Sequence, residues 1–235
     1  MAENGKLTRE PPKFSYPAAA RNTMNVGRKL SDRDFEIAAP KGANKVEARV
    51  IGIIENQAPT KALQLPLNVK SGLVEMDREN DVCQISIVER HHASGSVVNA
   101  YVSGFGYDVD CAIASTVAHD SHHIIVVGTN RADMAQAANV LSEIGGGVVV
   151  VSKGEELARI ELPIAGLMSI EPAEIVAAKA EKMVAAMKAC GCSLNNAYMQ
   201  HSLLALVVIP ELRISDVGLI DVTTFEKVDL FVSSH

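Results

Sequence analysis

The sequence predicts an α/β (α+β) fold, in which helices flank a mixed β-sheet and strand–helix–strand units are combined with hairpins. Two short runs rich in valine and isoleucine, 123–128 and 148–152, have the length and composition of buried strands. Two longer segments, 130–147 and 171–191, place apolar residues at helical spacing. Nothing in the sequence has the pattern of eight successive strand–helix units, so no TIM barrel is predicted in this chain.

The part of the chain from residue 46 to residue 104 is predicted to form mainly β-strands. Alternating and continuous apolar runs predict strands at 46–55 and 83–89, and a weaker run predicts a third strand at 98–104. Segment 110–119 has small and apolar residues at helical spacing, which predicts a helix that leads into the strand at 123–128.

The next elements are a helix and a hairpin. Asn130 is placed to cap the helix over 130–147, and a run of three glycines ends that helix. The strand at 148–152 is followed by a Lys153-Gly154 turn and a second strand at 157–162.

The longest predicted helix covers 171–191, with Pro172 in its first turn and Gly191 as its stop. A shorter helix follows at about 195–206. A proline-punctuated ending completes the chain.

Residues 1–44 differ from the rest. The Asn4-Gly5 pair is a hairpin-turn signal. It is followed by Pro11-Pro12, Pro17 and a basic stretch with poor periodicity. A free-standing domain rarely begins halfway through a hairpin. The sequence therefore predicts that 1–44 are the end of a preceding unit plus a linker, and that 45–235 form the domain.

Composition excludes several classes of function. The 235 residues carry a formal charge of −6, whereas nucleic-acid binding requires a basic face. No apolar run approaches the length of a membrane helix and the N-terminus has no signal-peptide pattern. The four cysteines form neither a disulfide framework nor a zinc ribbon, which favours reduced thiols in a cytoplasmic protein.

Five of the seven histidines lie between His91 and His123. His119, His122 and His123 could form a metal centre of their own, since imidazole and carboxylate groups together bind zinc, manganese or iron. The alternative is that Asp120 and Ser121 cap a turn while the histidines bond to backbone at a strand edge. Their spacing favours this second interpretation, because adjacent residues in a strand point to opposite faces.

The sequence gives weaker support for two other kinds of site, a serine relay and a glycine-rich phosphate loop. A relay of Ser121 with its neighbours lacks the Gly-x-Ser-x-Gly turn, and adjacent residues seldom reach relay geometry. The glycines at 145–147 follow a helix, the reverse of a phosphate loop, and are better explained as a helix stop. Gly104 and Gly106 precede the predicted helix at 110–119, so a backbone-amide contact with a ligand stays open there.

The motifs "ERHHASG", "AIASTVAHDSHHIIVVGTN", "GGGVVVV", "LPIAGLMS" and "VIPELRISDVGLIDV" resemble, in sequence and in order, the C-terminal domain of bacterial adenine deaminases. Those enzymes are metal-dependent members of the amidohydrolase superfamily. The resemblance runs from about residue 46 to the C-terminus, and "AENGKL" at the start is similar to the end of the family's small β-domain.

The resemblance implies a hydrolase that converts adenine to hypoxanthine and ammonia with a metal-activated hydroxide, the metal being manganese or iron. It also implies that the metal belongs to an amidohydrolase barrel outside this chain, because the sequence contains no His-x-His pair. We therefore expect no metal in this chain and assign no catalytic residue to it. The expected partners are adenine, the barrel and further copies of the protein in a homo-oligomer.

Eight residues are candidates for a surface that closes the purine pocket or forms an oligomer interface. They are Glu89, Arg90, His91, His119, Asp120, Ser121, His122 and Asn130. The resemblance implies that Asp120 and the histidines orient the substrate or the groups around the metals, while Ser121 and Asn130 offer hydrogen bonds. The alternative is a stand-alone module that binds a purine or another small ligand without catalysis.

Overall fold

The computed structural model describes residues 2–9, 14–21 and 23–232. The strands are β1 (Ala2–Glu3), β2 (Lys6–Leu7), β3 (Lys45–Ile53), β4 (Thr60–Lys70), β5 (Leu73–Val74), β6 (Val82–Val88), β7 (Val97–Ser103), β8 (Ala112–Ser115), β9 (Ile124–Gly128), β10 (Gly147–Ser152), β11 (Glu155–Glu161), β12 (Leu212–Ser215), β13 (Gly218–Asp221) and β14 (Glu226–Val228). The helices are α1 (Ala18–Arg21), α2 (Arg131–Ile144), α3 (Ala173–Ala189) and α4 (Ala197–Leu203), with 3₁₀ turns at Asp32–Phe35 and Arg78–Asn80.

A nine-stranded sheet forms the centre of the fold, in the order β11-β10-β8-β9-β6-β7-β3-β4-β5. The pair β3–β7 is parallel, whereas the other neighbouring pairs are antiparallel. Both β9 and β10 run antiparallel to β8 between them, so they are parallel to each other and α2 connects them. The predicted mixed sheet with a strand–helix–strand unit is confirmed, and the described residues form no closed barrel.

The central strands are buried on both faces, which explains why their sequences are continuously apolar rather than alternating. In β9, Ile125 and Val127 pack in a core that includes Met183 and Met187 of α3. The alternate residues Ile124 and Val126 pack in a second core with α2. The sheet is therefore the middle layer of three.

Helix α2 begins and ends as predicted. The side chain of Asn130 accepts a hydrogen bond from the Asp133 amide at 3.0 Å, which caps the first turn. Gly145 ends the helix with φ of +84°, a left-handed conformation that glycine adopts without steric cost.

The helix predicted over 110–119 is wrong, since β8 (Ala112–Ser115) lies there instead. Its small side chains fit between β9 and β10, where Ala112 and Ala114 face α2 and Ile113 faces the opposite core. Burial on both faces removes the polar residues that would have revealed an alternating pattern. Strand β4 and the separate sheet β12-β13-β14 were also not predicted.

The segment before β3 contributes to the core. Val26, Leu30 and Phe35 are buried against α2, and β1 and β2 pair around the predicted Asn4-Gly5 turn. Pro11 and Pro12 lie outside the described residues. The division at residues 44 and 45 stays a prediction. In the described part of the chain, no helix combines the length and apolar character needed to cross a bilayer.

Candidate functional site

The candidate residues meet where β6 ends and β9 begins. These strands are antiparallel neighbours with Val88 opposite Ile124, so the residues after β6 lie beside those before β9. The rings of His91 and His123 are 4.7 Å apart between centroids. We call the outward-facing group His91, His119, Asp120, Ser121 and His122 the histidine edge.

Two hydrogen bonds fix which ring nitrogens carry protons in the histidine edge. His91 Nε2 lies 2.8 Å from the carbonyl oxygen of Ser121, which can only accept, so this nitrogen is the donor. His122 Nδ1 accepts from the Ala118 amide at 3.2 Å, so its neutral ring carries the proton on Nε2. Burial and the nearby His119 ring, 5.3 Å away, lower the pKa of His122. The His122 imidazole is therefore neutral near pH 7.

His122 is held in an unusual backbone conformation. Its φ is +53°, in the left-handed region. Its amide donates to the Ala118 carbonyl at 2.7 Å, closing a tight turn just before β9. The histidines therefore bond to backbone at a strand edge, as predicted, whereas the Asp120 and Ser121 side chains make no capping hydrogen bond within the described part of the chain.

Arg90 is buried beneath the histidine edge and only 2% exposed. Its guanidinium donates to the carbonyls of His122 at 2.5 Å, Thr23 at 3.1 Å and Ala165 at 3.0 Å. It makes no ion pair with a described carboxylate, and the neighbouring Glu89 carboxylate bonds to other groups. Burial lowers the pKa of Arg90. Its side chain thus joins three chain segments and does not itself face a ligand.

Glu89 has a similar internal role. Its carboxylate accepts hydrogen bonds from the amides of His91, His92 and Ser94 and from the Ser94 hydroxyl. Burial by itself would raise the pKa of Glu89, but these donors outweigh it and lower the pKa to about 2. The ionised carboxylate therefore shapes the loop that presents His91.

One residue of this region was missed by sequence reasoning. Asp216, in the turn between β12 and β13, places its carboxylate 3.6 Å from Nε2 of the buried His123. Nδ1 of His123 has no hydrogen-bond partner among the described residues. Burial lowers the pKa of His123, against the opposing effect of Asp216. The only available signal for Asp216 was its position within the "VIPELRISDVGLIDV" motif.

Other candidates lie elsewhere or are already bonded. Asn130 follows the opposite end of β9 from His123, where it caps α2. The amides of Gly104 and Gly106 donate to the Asp81 carboxylate at 2.9 and 2.8 Å. No helix follows these glycines, so the anion site that was left open there is occupied by a side chain of the chain itself.

The described residues contain no group of three or more His, Cys, Asp or Glu side chains arranged to hold a metal ion. The structure therefore does not assemble His119, His122 and His123 into a three-ligand group within residues 2–9, 14–21 and 23–232. The geometry fits hydrogen bonding by an outward-facing edge rather than metal coordination.

A family model described as the adenine deaminase C-terminal domain matches residues 57–226. The chain belongs to the adenine deaminase C-terminal domain family. This confirms the resemblance, and it places both the histidine edge and Asp216 inside the adenine deaminase domain.

Proteins named adenine deaminase are similar to almost the whole chain. The protein of Mesorhizobium japonicum is 69% identical over 99% of this chain, and "Adenine deaminase 3" of Rhizobium meliloti is 66% identical over 99%. The adenine deaminase of Clostridium botulinum is 43% identical over 99%. The chain spans only 38 or 39% of the length of these relatives.

Proposed function

We propose that the chain is the C-terminal part of a cytoplasmic adenine deaminase, a hydrolase that converts adenine and water to hypoxanthine and ammonia. The support is the family membership, together with relatives of that name which are similar to the chain over nearly its full length. The larger part of each relative lies outside the match. A match of 232 residues makes up 38% of the Mesorhizobium japonicum protein, so the remainder has room for a (β/α)₈ barrel of about 250 residues.

The role proposed for this domain is to present the histidine edge to the purine pocket, or to an oligomer interface that borders it. One observation carries this proposal: the charged residues beneath the edge are buried and already hydrogen-bonded within the chain. Arg90 holds the His122 carbonyl and Glu89 holds the amides after β6. The imidazoles and the Ser121 hydroxyl are left facing outward.

This edge is suited to recognise a polar, flat ligand. Neutral His122 directs an Nε2 donor away from the bond that its Nδ1 makes with Ala118. Purine rings carry several nitrogen acceptors and an exocyclic amine, so imidazoles and a hydroxyl can bond to them in either direction. The His119 ring lies 5.3 Å from that of His122 and adds an aromatic surface next to this donor.

The divalent metal, manganese or iron, is proposed to be held by the barrel. The described part of this chain assembles no group of three or more His, Cys, Asp or Glu ligands for it. Assembly of the intact enzyme as a homo-oligomer belongs to the same proposal.

A chimeric enzyme tests the proposal. In the Mesorhizobium japonicum adenine deaminase, the 232 matched residues are replaced by this chain. We expect the chimera to release ammonia from adenine, and the isolated chain with added manganese to release none. Turnover by the isolated chain would overturn the domain assignment. Tight adenine binding by the isolated chain, measured by calorimetry, would favour the stand-alone binding module instead.

His122→Asn in the chimera tests the role of the edge. Asparagine tolerates the left-handed backbone and can still accept from the Ala118 amide, but it removes the Nε2 donor. We expect kcat/KM for adenine to fall by about tenfold, equivalent to one hydrogen bond of about 1.4 kcal/mol. An unchanged kcat/KM in a stably folded variant would contradict a pocket-facing role. His92→Asn, at an exposed neighbouring position, is the control.

A further inference from the structure

A second surface exposes large apolar side chains among polar ones. Phe14, Tyr16 and Ile170 line a groove of about 380 Å³ whose polar residues include Arg21 and Glu171. Phe14 is 74% exposed and Ile170 is 54% exposed. The rings of Phe14 and Tyr16 meet edge to face, 5.0 Å apart. We call Phe14, Tyr16 and Ile170 the aromatic groove.

The aromatic groove is built on ordered contacts. The Ala165 amide donates to the Ala20 carbonyl at 2.7 Å, which ties α1 to the loop before α3. Glu171, at the groove, is held by Lys179 at 2.5 Å. Large exposed aromatic side chains on a fixed frame indicate a contact surface, because their exposure to water is unfavourable.

The aromatic groove is connected to the histidine edge through Arg90. Its guanidinium donates to the carbonyls of Thr23 and Ala165, which belong to the two segments that form the groove, and to His122 in the edge. One buried side chain thus fixes both surfaces relative to each other.

The occupant is indicated by where these residues lie along the chain. Residues 14–21 precede the matched C-terminal domain, residues 57–226, yet they lie within the 99% of the chain that the full-length relatives share. On the division predicted at residues 44 and 45, they belong to the connection between this domain and the larger remainder. A surface on that connection lies next to the remainder as soon as the two are covalently joined, whereas a second copy of the chain would have to diffuse to it.

We infer that the aromatic groove is the docking surface for the remainder of the parent polypeptide, which inserts apolar side chains between Phe14 and Ile170. This rests on the proposed function only in requiring that the chain is joined to that remainder. Deaminase activity by itself does not require this contact at Phe14 and Ile170.

Cysteine labelling tests the inference. All four native cysteines are buried, so an introduced thiol dominates reaction with a maleimide. Phe14→Cys and Ile170→Cys are compared in the isolated chain and in the chimera, with the unsubstituted proteins giving the background. We expect labelling in the chimera to be at least about tenfold slower than in the isolated chain, since docking excludes the reagent.

Phe225→Cys is the matched control. Phe225 is 71% exposed, close to the 74% of Phe14. It lies in the turn after β13, at the opposite end of that small sheet from Asp216. We expect this variant to label equally fast in both proteins.

The outcomes separate the two proposals. Equal labelling of Phe14→Cys and Ile170→Cys in chain and chimera would overturn the inference even if the chimera deaminates adenine. Protection that appears in the isolated chain as its concentration is raised would also overturn it, because a second copy would then be the occupant. Protection in a chimera without deaminase activity would support the inference and count against the proposed function.

Discussion

The Nε atom of Arg90 donates a 2.5 Å hydrogen bond to the carbonyl oxygen of His122. This bond holds a left-handed residue in place at the start of β9, and it joins the candidate site to the core. The same guanidinium also holds Thr23 and Ala165, so one buried cation organises the loops on which the site is built.

We expect Arg90→Met to lower the free energy of unfolding by on the order of 3 kcal/mol. The substitution preserves much of the apolar stem but leaves three partly buried carbonyls without their donor, and each loss costs about 1 kcal/mol. Urea denaturation at pH 7 measures the change. Arg159→Met, whose side chain is 43% exposed, is expected to change stability by less than about 0.5 kcal/mol. Equal stability of the two variants would contradict the role of Arg90.

Glu89→Gln should remove a pH-dependent part of the stability. The pKa of Glu89 is about 2, below its ordinary 4.5, so its contribution is complete above pH 4.5 and is lost as pH falls toward 2. This difference corresponds to about 3 kcal/mol. We expect the stability gap between wild type and Glu89→Gln to be largest at pH 6 and to shrink at pH 2–3. Denaturation across this range measures it, and Glu155→Gln is expected to show no such gap.

His201→Phe should flatten the pH dependence near pH 5. His201 is fully buried in α4 and neither ring nitrogen has a hydrogen-bond partner of normal geometry among the described residues. Burial lowers its pKa to about 3, against a smaller opposing effect from the Ile113 backbone. As pH falls, the His201 imidazole therefore takes up a proton in the unfolded chain before it does so in the folded chain. The free energy of unfolding then decreases as pH drops below about 6.5.

Between pH 6.5 and pH 5 this effect corresponds to about 2 kcal/mol in the wild-type protein. We expect His201→Phe to lose less stability over the same interval and to be as stable as wild type at pH 7, since no hydrogen bond is broken. Thermal or urea unfolding at the two pH values decides the matter. An identical pH dependence in both proteins would show that His201 is not a buried neutral imidazole.

Asn130→Ala should destabilise the fold without affecting the candidate site. The Asn130 side chain caps α2 and lies beyond the opposite end of β9 from the histidine edge. We expect a loss of about 1 kcal/mol in unfolding free energy, largely recovered in Asn130→Ser. Activity of the chimera should change by less than about twofold. A large loss of activity with unchanged stability would instead indicate that Asn130 faces the purine pocket.

The local sequence pattern was sufficient to predict those elements whose structure depends on their own residues. The valine and isoleucine runs of β9 and β10, the Asn130 cap and the glycine stop of α2 were all predicted, because each depends on neighbouring residues only. The order of motifs also sufficed to predict the family, since it needs no knowledge of contacts.

Strands whose environment is set by distant parts of the chain could not be predicted in the same way. β8 has helical spacing of small residues, yet it becomes a strand because β9 and β10 enclose it on both sides. β4 alternates exposed polar residues with partly buried ones and contains Pro66, which weakens its strand signal.

The sequence by itself determined the family, the buried strands β9 and β10 and the concentration of histidines before β9. Only the tertiary structure decided which side chains face outward. The register of β6 against β9 places His91 beside His123, a turn from another sheet adds Asp216, and burial directs Arg90 and Glu89 inward. Such pairings depend on chain segments far apart in sequence, which no local spacing encodes.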